Sequence, residues 1–227
     1  MPNPASPMTH RAKRSKKRSR NGRMEREGEE TMALHRSETL ARANGSFSRV
    51  HFASPCVYEG QTRRLILELK YHGHKSLAPT LVKPLVHVIS DLGKHEISVG
   101  AVTWAPTSPL RQRERGFDHG ELLARHLGVL ADLRCRRLLR RINNEQQTGQ
   151  SRQMRLVQPR FVARPCRGVS SVCVVDDVMT TGATLQAAAR ALVDAGYERV
   201  ICLSVSYVPT LVSKRACVIA DDASSST

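Results

Sequence analysis

The fold is decided by the stretch SVCVVDDVMTTGAT, which occupies residues 171–184. Its apolar first half predicts a buried β-strand, and the alanine-rich residues that follow it predict a helix. Between the two lie a pair of acids, three threonines and a glycine. A loop that leads into a helix N-terminus exposes backbone N–H groups without helical partners, and such groups bind anions. The stretch therefore predicts a strand whose carboxyl end opens into an anion-binding turn.

The turn has the composition of a phosphate monoester site. Gly182 lets the backbone approach a ligand closely, and the threonine hydroxyls add further donors. The GxxxxGK[ST] pattern of a triphosphate-binding loop is absent from the chain. We predict that the phosphate-binding residues are Val178, Met179, Thr180, Thr181, Gly182, Ala183 and Thr184.

Asp176 and Asp177 stand at the carboxyl end of the predicted strand. In open parallel α/β sheets, ligands bind at this end of the strands. Carboxylates accept hydrogen bonds from vicinal diols, and they stabilise positive charge that develops on a nearby sugar. Acids and turn together predict a site for ribose 5-phosphate, with the diol on the acids. The alternative is an ordinary strand end whose acids cap the following helix.

Periodicity in the rest of the chain predicts alternating helices and strands. The last strand–helix–strand unit implies a parallel sheet with a right-handed connection. The predicted fold class is α/β, with a central mainly parallel sheet flanked by helices. The predicted helices cover residues 58–71, 77–92, 119–130 and 182–195, and the predicted strands cover 99–105, 135–139, 172–175 and 200–207.

Two further segments are rich in arginine. The segment 111–119 contains Arg111, Arg113 and Arg115, and we interpret it as a loop that clamps phosphate, because arginine pairs bidentately with phosphate oxygens. A solvated loop is the alternative. Residues 140–160 are polar, basic and without periodicity. A loop of this length is typical of a mobile lid over an anionic substrate, or of a flexible surface loop.

Composition limits the remaining possibilities. The formal charge is +16, and residues 1–50 contain twelve of the 36 Lys and Arg and five of the 20 Asp and Glu, so the rest of the chain is also basic. This suits an anionic partner, either a phosphorylated small molecule or nucleic acid.

The six cysteines form no CxxC pair, which argues against a zinc ribbon. We expect a cytoplasmic protein without membrane contact, because no apolar run approaches the length of a membrane span.

The predicted organisation has three parts. Residues 1–50 read as a disordered basic extension, 57–208 as the folded domain, and 209–227 as a C-terminal tail. The basic tract 11–20 could contact nucleic acid or be a solvated tail. The sequence is compatible with a homodimer, but it does not decide the oligomeric state.

Residues 172–184 resemble the phosphoribosyl diphosphate (PRPP) motif of type I phosphoribosyltransferases: four apolar residues, two acids, two variable residues and TTGxT. Beyond this motif the chain is similar to the ComF family, which is associated with competence. The supporting segments are Tyr58-Glu59-Gly60, Leu69-Lys70-Tyr71-His72-Gly73, Arg113-Glu114-Arg115-Gly116-Phe117 and Gln147 with Ser151 and Arg155. The family's Pro-Val-Pro is Ala105-Pro106-Thr107 here, and its Gly-Phe-Asn-Gln is Gly116-Phe117-Asp118-His119.

The resemblance implies a type I phosphoribosyltransferase fold with a lid loop, and PRPP bound with Mg²⁺. It implies transfer of the phosphoribosyl group to an unidentified nitrogen acceptor, with Asp176 and Asp177 as catalytic residues. Diphosphate and the lid would involve Arg111, Arg113, Arg115, Gln147 and Arg155. The metal would be held through PRPP rather than by a protein ligand of its own. Two alternatives stay open: a non-catalytic PRPP- or nucleotide-binding module, and a dedicated nucleic-acid binder.

Overall fold

The predicted central strand is β7 (Ser171–Met179), in a computed structural model that describes residues 34–142 and 159–209. It is longer than the predicted 172–175. Pairing with the neighbouring strand continues past the two acids, as far as Met179 opposite Tyr207. The acids therefore lie within the strand near its carboxyl end, instead of just after it.

The main sheet has six strands. Their bounds are β1 (Leu34–Ala41), β2 (Phe47–Ser54), β3 (Cys56–Val57), β4 (Ala101–Trp104), β7, and β8 (Arg199–Tyr207). The order is β1-β2-β8-β7-β4, and β3 also pairs with β8. All neighbours are parallel except β1 and β2. The predicted α/β class with a mainly parallel sheet is confirmed.

The N-terminal hairpin differs from the sequence prediction. We predict disorder over residues 1–50, whereas the structure has strands from Leu34 onward, so the prediction is wrong for residues 34–50. The physical reason is that β2 buries Val50 and Phe52 against the sheet and pairs with β8. Residues 1–33, which include the basic tract 11–20, lie outside the described residues, as does the tail from residue 210.

Within the described residues, five α-helices cover the sheet. They are α1 (Gly60–Tyr71), α2 (Ala78–Lys94), α3 (Pro109–Arg115), α4 (His119–Leu130) and α5 (Ala183–Asp194), with a 3₁₀ turn over Lys75–Leu77. Helix α3 corrects the predicted loop over 111–119. Ser108 caps it by accepting the N–H of Arg111 at 3.4 Å, and Pro109 occupies its first turn. Both residue types are favoured at a helix start.

Side chains that alternate along β7 join two separate hydrophobic cores. Cys173 and Val175 pack into one core with α1, α2 and α4. Val172 and Val174 pack into the other core with α5. The acid-bearing strand is thus fixed from both faces of the sheet.

A small antiparallel pair stands where we predict the long polar loop. Strands β5 (Leu139–Ile142) and β6 (Arg160–Ala163) pair at the two ends of that segment. Cys135, where we predict a strand, forms a single β-bridge with Val102. The predictions of a strand over 135–139 and of a loop starting at 140 are therefore wrong in their bounds. Residues 143–158, with Gln147 and Arg155, lie outside the described residues. Within the described ranges, no helix is both long and apolar enough to cross a membrane.

Candidate functional site

A cavity of about 310 Å³ opens at the carboxyl ends of β4 and β7. It brings together seven of the residues predicted from sequence. These are Arg111, Arg115, Asp176, Asp177, Val178, Thr180 and Thr184. Tyr58, Lys70, Asp118, His119 and Arg141 also line it, as do residues 105–107 and Gly120. Acids, hydroxyls and cations therefore face a single space.

Asp177 is paired within this cavity. The Nζ atom of Lys70 on α1 lies 2.8 Å from Oδ1 of Asp177, and each side chain is 15% exposed. An ammonium donates to a carboxylate at this distance, and the hydrogen bond is charge-assisted. Lys70 therefore belongs to the site although it lies more than one hundred positions earlier in the chain.

The environment of the Asp176 carboxyl group shifts its pKa. Burial raises the pKa of Asp176 to about 7, and the charge of Asp177 acts in the same direction. Its Oδ1 accepts the backbone N–H of Asp177 at 2.9 Å. Burial and the neighbouring negative charge both disfavour the ionised form of Asp176. Near neutral pH, Asp176 exchanges a proton while it faces the cavity.

The threonine turn leads into α5 as predicted. Gly182 caps the helix in the left-handed conformation, with φ 78°. Thr181 Oγ1 accepts the N–H of Ala183 at 3.4 Å, and the carbonyl of Gly182 accepts the N–H of Gln186 at 2.8 Å. The turn thus lines the same cavity through Thr180, and the first turn of the twelve-residue helix lines it through Thr184.

Helix α3 contributes two arginines that line both this cavity and a second one. Arg111 and Arg115 line the cavity beside the acids, and with Lys70 they also line a second cavity of about 590 Å³. Tyr71, Gly73 and Glu114 complete the lining of this second cavity. The guanidinium carbon of Arg115 lies 5.4 Å from the centroid of the Tyr71 ring. The two cavities are adjacent, with cationic side chains between them.

Arg141 approaches the site from β5. Its Nη1 donates to the carbonyl of Pro106 at 3.4 Å, and its guanidinium lies 5.7 Å from the centroid of the Phe161 ring. The pKa of Arg141 is lowered, first by burial and then by the charge of Arg111. Within the described ranges no salt bridge includes Arg141. A half-buried guanidinium of this kind is suited to an anionic ligand.

His119 is a buried titratable side chain at the start of α4, 2% exposed. Burial lowers the pKa of His119 to about 4, and the charges of Arg115 and Lys70 lower it as well, while Asp177 opposes them. Its ring packs against Phe117, with 4.6 Å between the ring centroids. The histidine is therefore neutral at physiological pH.

Asp118 organises the loop after β4. Its Oδ2 accepts the backbone N–H of Thr107 at 3.0 Å, and its Oδ1 accepts the N–H of Glu121 at 3.3 Å. The carboxylate therefore caps α4 and uses one amide of the loop over residues 105–107. That amide is not free to donate to a ligand while the contact lasts.

Several predicted site residues do not line the cavity. Met179 is buried in the α5 core, and Thr181, Gly182 and Ala183 contribute turn geometry. Arg113 is exposed, and its Nε donates to the carbonyl of Pro109 at 3.4 Å. Arg113 lines neither cavity.

Among the residues that line the cavity without a predicted role are three with basic side chains, Lys70, His119 and Arg141. Lys70 falls in a segment that carries the family resemblance, whereas His119 stands where the resembling family has glutamine. Arg141 lies in the polar stretch that we predict as a lid, where its neighbours are also arginines. No local pattern singles it out.

The carboxylates fit a hard cation only in part. Mg²⁺ prefers oxygen ligands and is commonly bound through one or two carboxylates together with substrate phosphates. Across residues 34–142 and 159–209, no group of three or more His, Cys, Asp or Glu side chains could hold a metal ion. Asp176 and Asp177 could contact a cation that arrives with a phosphorylated ligand.

Comparisons with known proteins found a family match, a relative and a solved structure. Residues 114–226 match the phosphoribosyl transferase domain. The chain is 36% identical over 93 residues to competence protein ComFC of Bacillus subtilis (strain 168). This match covers 40% of the chain and 37% of that relative, so the chain spans well under two thirds of the relative's length. Among solved structures, a crystal structure of orotate phosphoribosyltransferase from Aeropyrum pernix matches with a TM-score of 0.34 and 17% identity, over 79% of this chain and 90% of that one.

Proposed function

Because residues 114–226 match the phosphoribosyl transferase domain, we propose that the chain binds PRPP with Mg²⁺ and transfers its phosphoribosyl group to a nitrogen nucleophile. One observation carries the proposal: an acid pair, a threonine turn at a helix N-terminus and four cationic side chains line a single cavity. A 5-phosphate fits the turn, a ribose diol fits the acids, and a diphosphate fits the cations.

In the proposed reaction the bond between C1 of ribose and a diphosphate oxygen breaks, and a C1–N bond forms. The proton of the acceptor nitrogen is released to solvent. Positive charge develops on the sugar as the leaving group departs, as in glycosyl transfer generally. Asp176 and Asp177 orient the diol and stabilise that charge electrostatically. Mg²⁺, when bound with PRPP, neutralises part of the diphosphate charge.

The cations act on the leaving group. Arg111, Arg115 and Arg141 approach the cavity from α3 and β5, so a diphosphate between them is contacted from two directions. Guanidinium groups bind phosphate oxygens bidentately. A diphosphate held in place fixes the orientation of C1 relative to the acceptor. The two reacting atoms then need less reorganisation to reach a reactive geometry.

Diphosphate release tests the transferase proposal. Purified protein is incubated with PRPP, Mg²⁺ and a panel of nucleobases and amines, and released diphosphate is measured. We expect acceptor-dependent release that is lost in the double variant Asp176→Asn/Asp177→Asn. Asp194→Asn on α5 is the matched control, because Asp194 is exposed and pairs only with Arg190. No release with any acceptor would overturn the transferase proposal.

A second candidate is a PRPP- or nucleotide-binding module without transfer, acting in competence. The contact between Asp118 and Thr107 favours it, because an amide of the loop after β4 is already used within the protein. The similarity to a relative named a competence protein supports a role in competence. PRPP binding by calorimetry without diphosphate release would select this candidate. Contact of the basic tract 11–20 with nucleic acid, and a homodimer, stay predictions.

A further inference from the structure

Lys70 occupies a position between two ligand sites. It lines both cavities, and its ammonium donates to Asp177, one of the groups that we assign to PRPP binding. This acid is one of the two that we assign to the ribose diol. Oδ1 of Asp177 accepts a hydrogen bond from Nζ of Lys70 at 2.8 Å, and each of the two side chains is 15% exposed. A diol that approaches Asp177 therefore meets an acid that already has a partner.

A phosphate group offers Lys70 another partner. Arg111 and Arg115 lie in the wall that the two cavities share, so an anion bound there is also beside Lys70. A lysine ammonium is a compact charge on a flexible stem with three rotatable donors, and it can redirect without moving its backbone. A diphosphate carries more negative charge than the single carboxylate. The ammonium is therefore drawn toward the diphosphate when both are present.

We propose that Lys70 is a specificity-determining residue that blocks Asp177 until a diphosphate draws it away. This inference rests on the proposed function, because it assigns Asp177 to the ribose diol. A sugar with diphosphate on C1 supplies both the anion for Lys70 and the diol for Asp177. Ribose 5-phosphate supplies only the diol, and it has to displace Lys70 without compensation.

The same exchange has a consequence for turnover. Once diphosphate has left, Lys70 loses its phosphate partner and returns to Asp177. The diol of the product then competes with the ammonium for one carboxylate. A 5-phosphorylated product is held less tightly than PRPP for this reason, although both contain the same sugar and the same 5-phosphate.

Two ligands and one substitution test the proposal. Lys70→Met keeps the length of the side chain and removes its charge and its donors. Binding of ribose 5-phosphate and of PRPP with Mg²⁺ is measured by calorimetry at pH 8, in the full chain. We expect Lys70→Met to bind ribose 5-phosphate about fivefold more tightly than wild type, because an ion pair of this kind contributes up to about that factor. It should bind PRPP more weakly.

Two variants serve as controls. Lys94→Met removes an equally short lysine–aspartate contact, 2.8 Å to Asp91, at an exposed position that lines neither cavity. It should leave both affinities unchanged. Lys70→Arg keeps the charge and should keep the preference for PRPP. Melting temperatures of all variants establish that each one folds.

The possible results separate this inference from the transferase proposal. Weaker or unchanged binding of ribose 5-phosphate by Lys70→Met overturns the blocking role, whatever happens to PRPP. A gain that Lys94→Met reproduces also overturns it, since the effect would then be one of net charge. Failure of the transferase proposal shows elsewhere, as PRPP that wild type does not bind or does not cleave with any acceptor.

Discussion

The Nη1 atom of Arg115 lies 3.4 Å from Nδ1 of His119. A guanidinium has donors and no acceptor, so Nδ1 has to present its lone pair. Because burial lowers the pKa of His119 to about 4, the ring is neutral near pH 7 and carries its proton on Nε2. Arg115 thereby sets the tautomer of a buried histidine in the cavity wall.

Replacing His119 with Gln should make folding less sensitive to acid. An unfolded histidine has a pKa of about 6.5, so between pH 6.5 and 4 the unfolded chain binds the proton that the folded chain does not. The associated stability is present above pH 6.5 and is lost as the pH falls, by up to about 1.4 kcal/mol per pH unit. Urea unfolding at pH 7.5, 5.5 and 4.5 measures the slope. His126→Gln on the same helix is the control, and identical slopes for His119→Gln and wild type would contradict the prediction.

Asp176→Asn should stabilise the protein at alkaline pH. The folded pKa of Asp176, about 7, is above the value of 3.8 for an ordinary aspartate, so ionisation costs folding free energy as the pH rises through this window. Asparagine carries no charge, and its oxygen can still accept the N–H of Asp177. We expect the melting temperature of the variant to exceed that of wild type at pH 8 by at least about 2–4 °C. At pH 4.5 the melting temperatures of the variant and the wild type should be nearly equal. A gain of the same size at both pH values would contradict a raised pKa of Asp176.

Gly182→Ala should weaken the threonine turn through its backbone. The φ of Gly182 is +78°, and an added Cβ would meet nothing closer than Met179 Sδ at 3.7 Å, so strain arises from the left-handed conformation and not from a clash. Such strain costs about 1–2 kcal/mol. Gly196→Ala, with φ +98° and no atom within 4 Å of the added Cβ, is the matched control. Chemical unfolding should show similar destabilisation in both, while only Gly182→Ala should lose affinity for ribose 5-phosphate.

Arg141→Gln should separate diphosphate binding from sugar phosphate binding. The loss of charge-assisted hydrogen bonds predicts affinity for PRPP that is about tenfold weaker or more. Affinity for ribose 5-phosphate should stay the same, because the threonine turn lies on another element. The control is Arg140→Gln, an exposed neighbour on the same strand that lines neither cavity. Calorimetry that shows equal losses for both ligands would place Arg141 elsewhere in the site.

The centre of the site could be predicted from sequence because its determinants are local. The apolar run, the acids and the threonines of residues 171–184 follow one another along the chain, and each constrains its neighbour. Lys70 could not be predicted in this way, since its partner lies 107 positions away and α1 alone gives no reason for the contact. Arg141 is placed by pairing between β5 and β6, which are also distant in sequence.

Two errors had local signs that sequence analysis could have used. Asn44-Gly45 separates two runs with strand propensity, and this dipeptide is typical of a β-hairpin. Ser108-Pro109 before a stretch of helix-forming residues is typical of a helix start. The high charge of both regions favours loops in composition-based reasoning, whereas the structure buries one face of β2 and gives α3 a capped first turn.

The alternation of side chains along β7 has a consequence for how such a chain can change. The threonine turn is anchored in the core around α5, whereas Lys70 and His119 are anchored in the core around α1, α2 and α4. Under the proposed function, substitutions in the second core would reshape the wall that carries Lys70 and His119, while the threonine turn keeps its contacts with the core around α5. We therefore expect a chimaeric chain with residues 171–196 to keep any affinity for ribose 5-phosphate only where its other elements still pack against Cys173 and Val175.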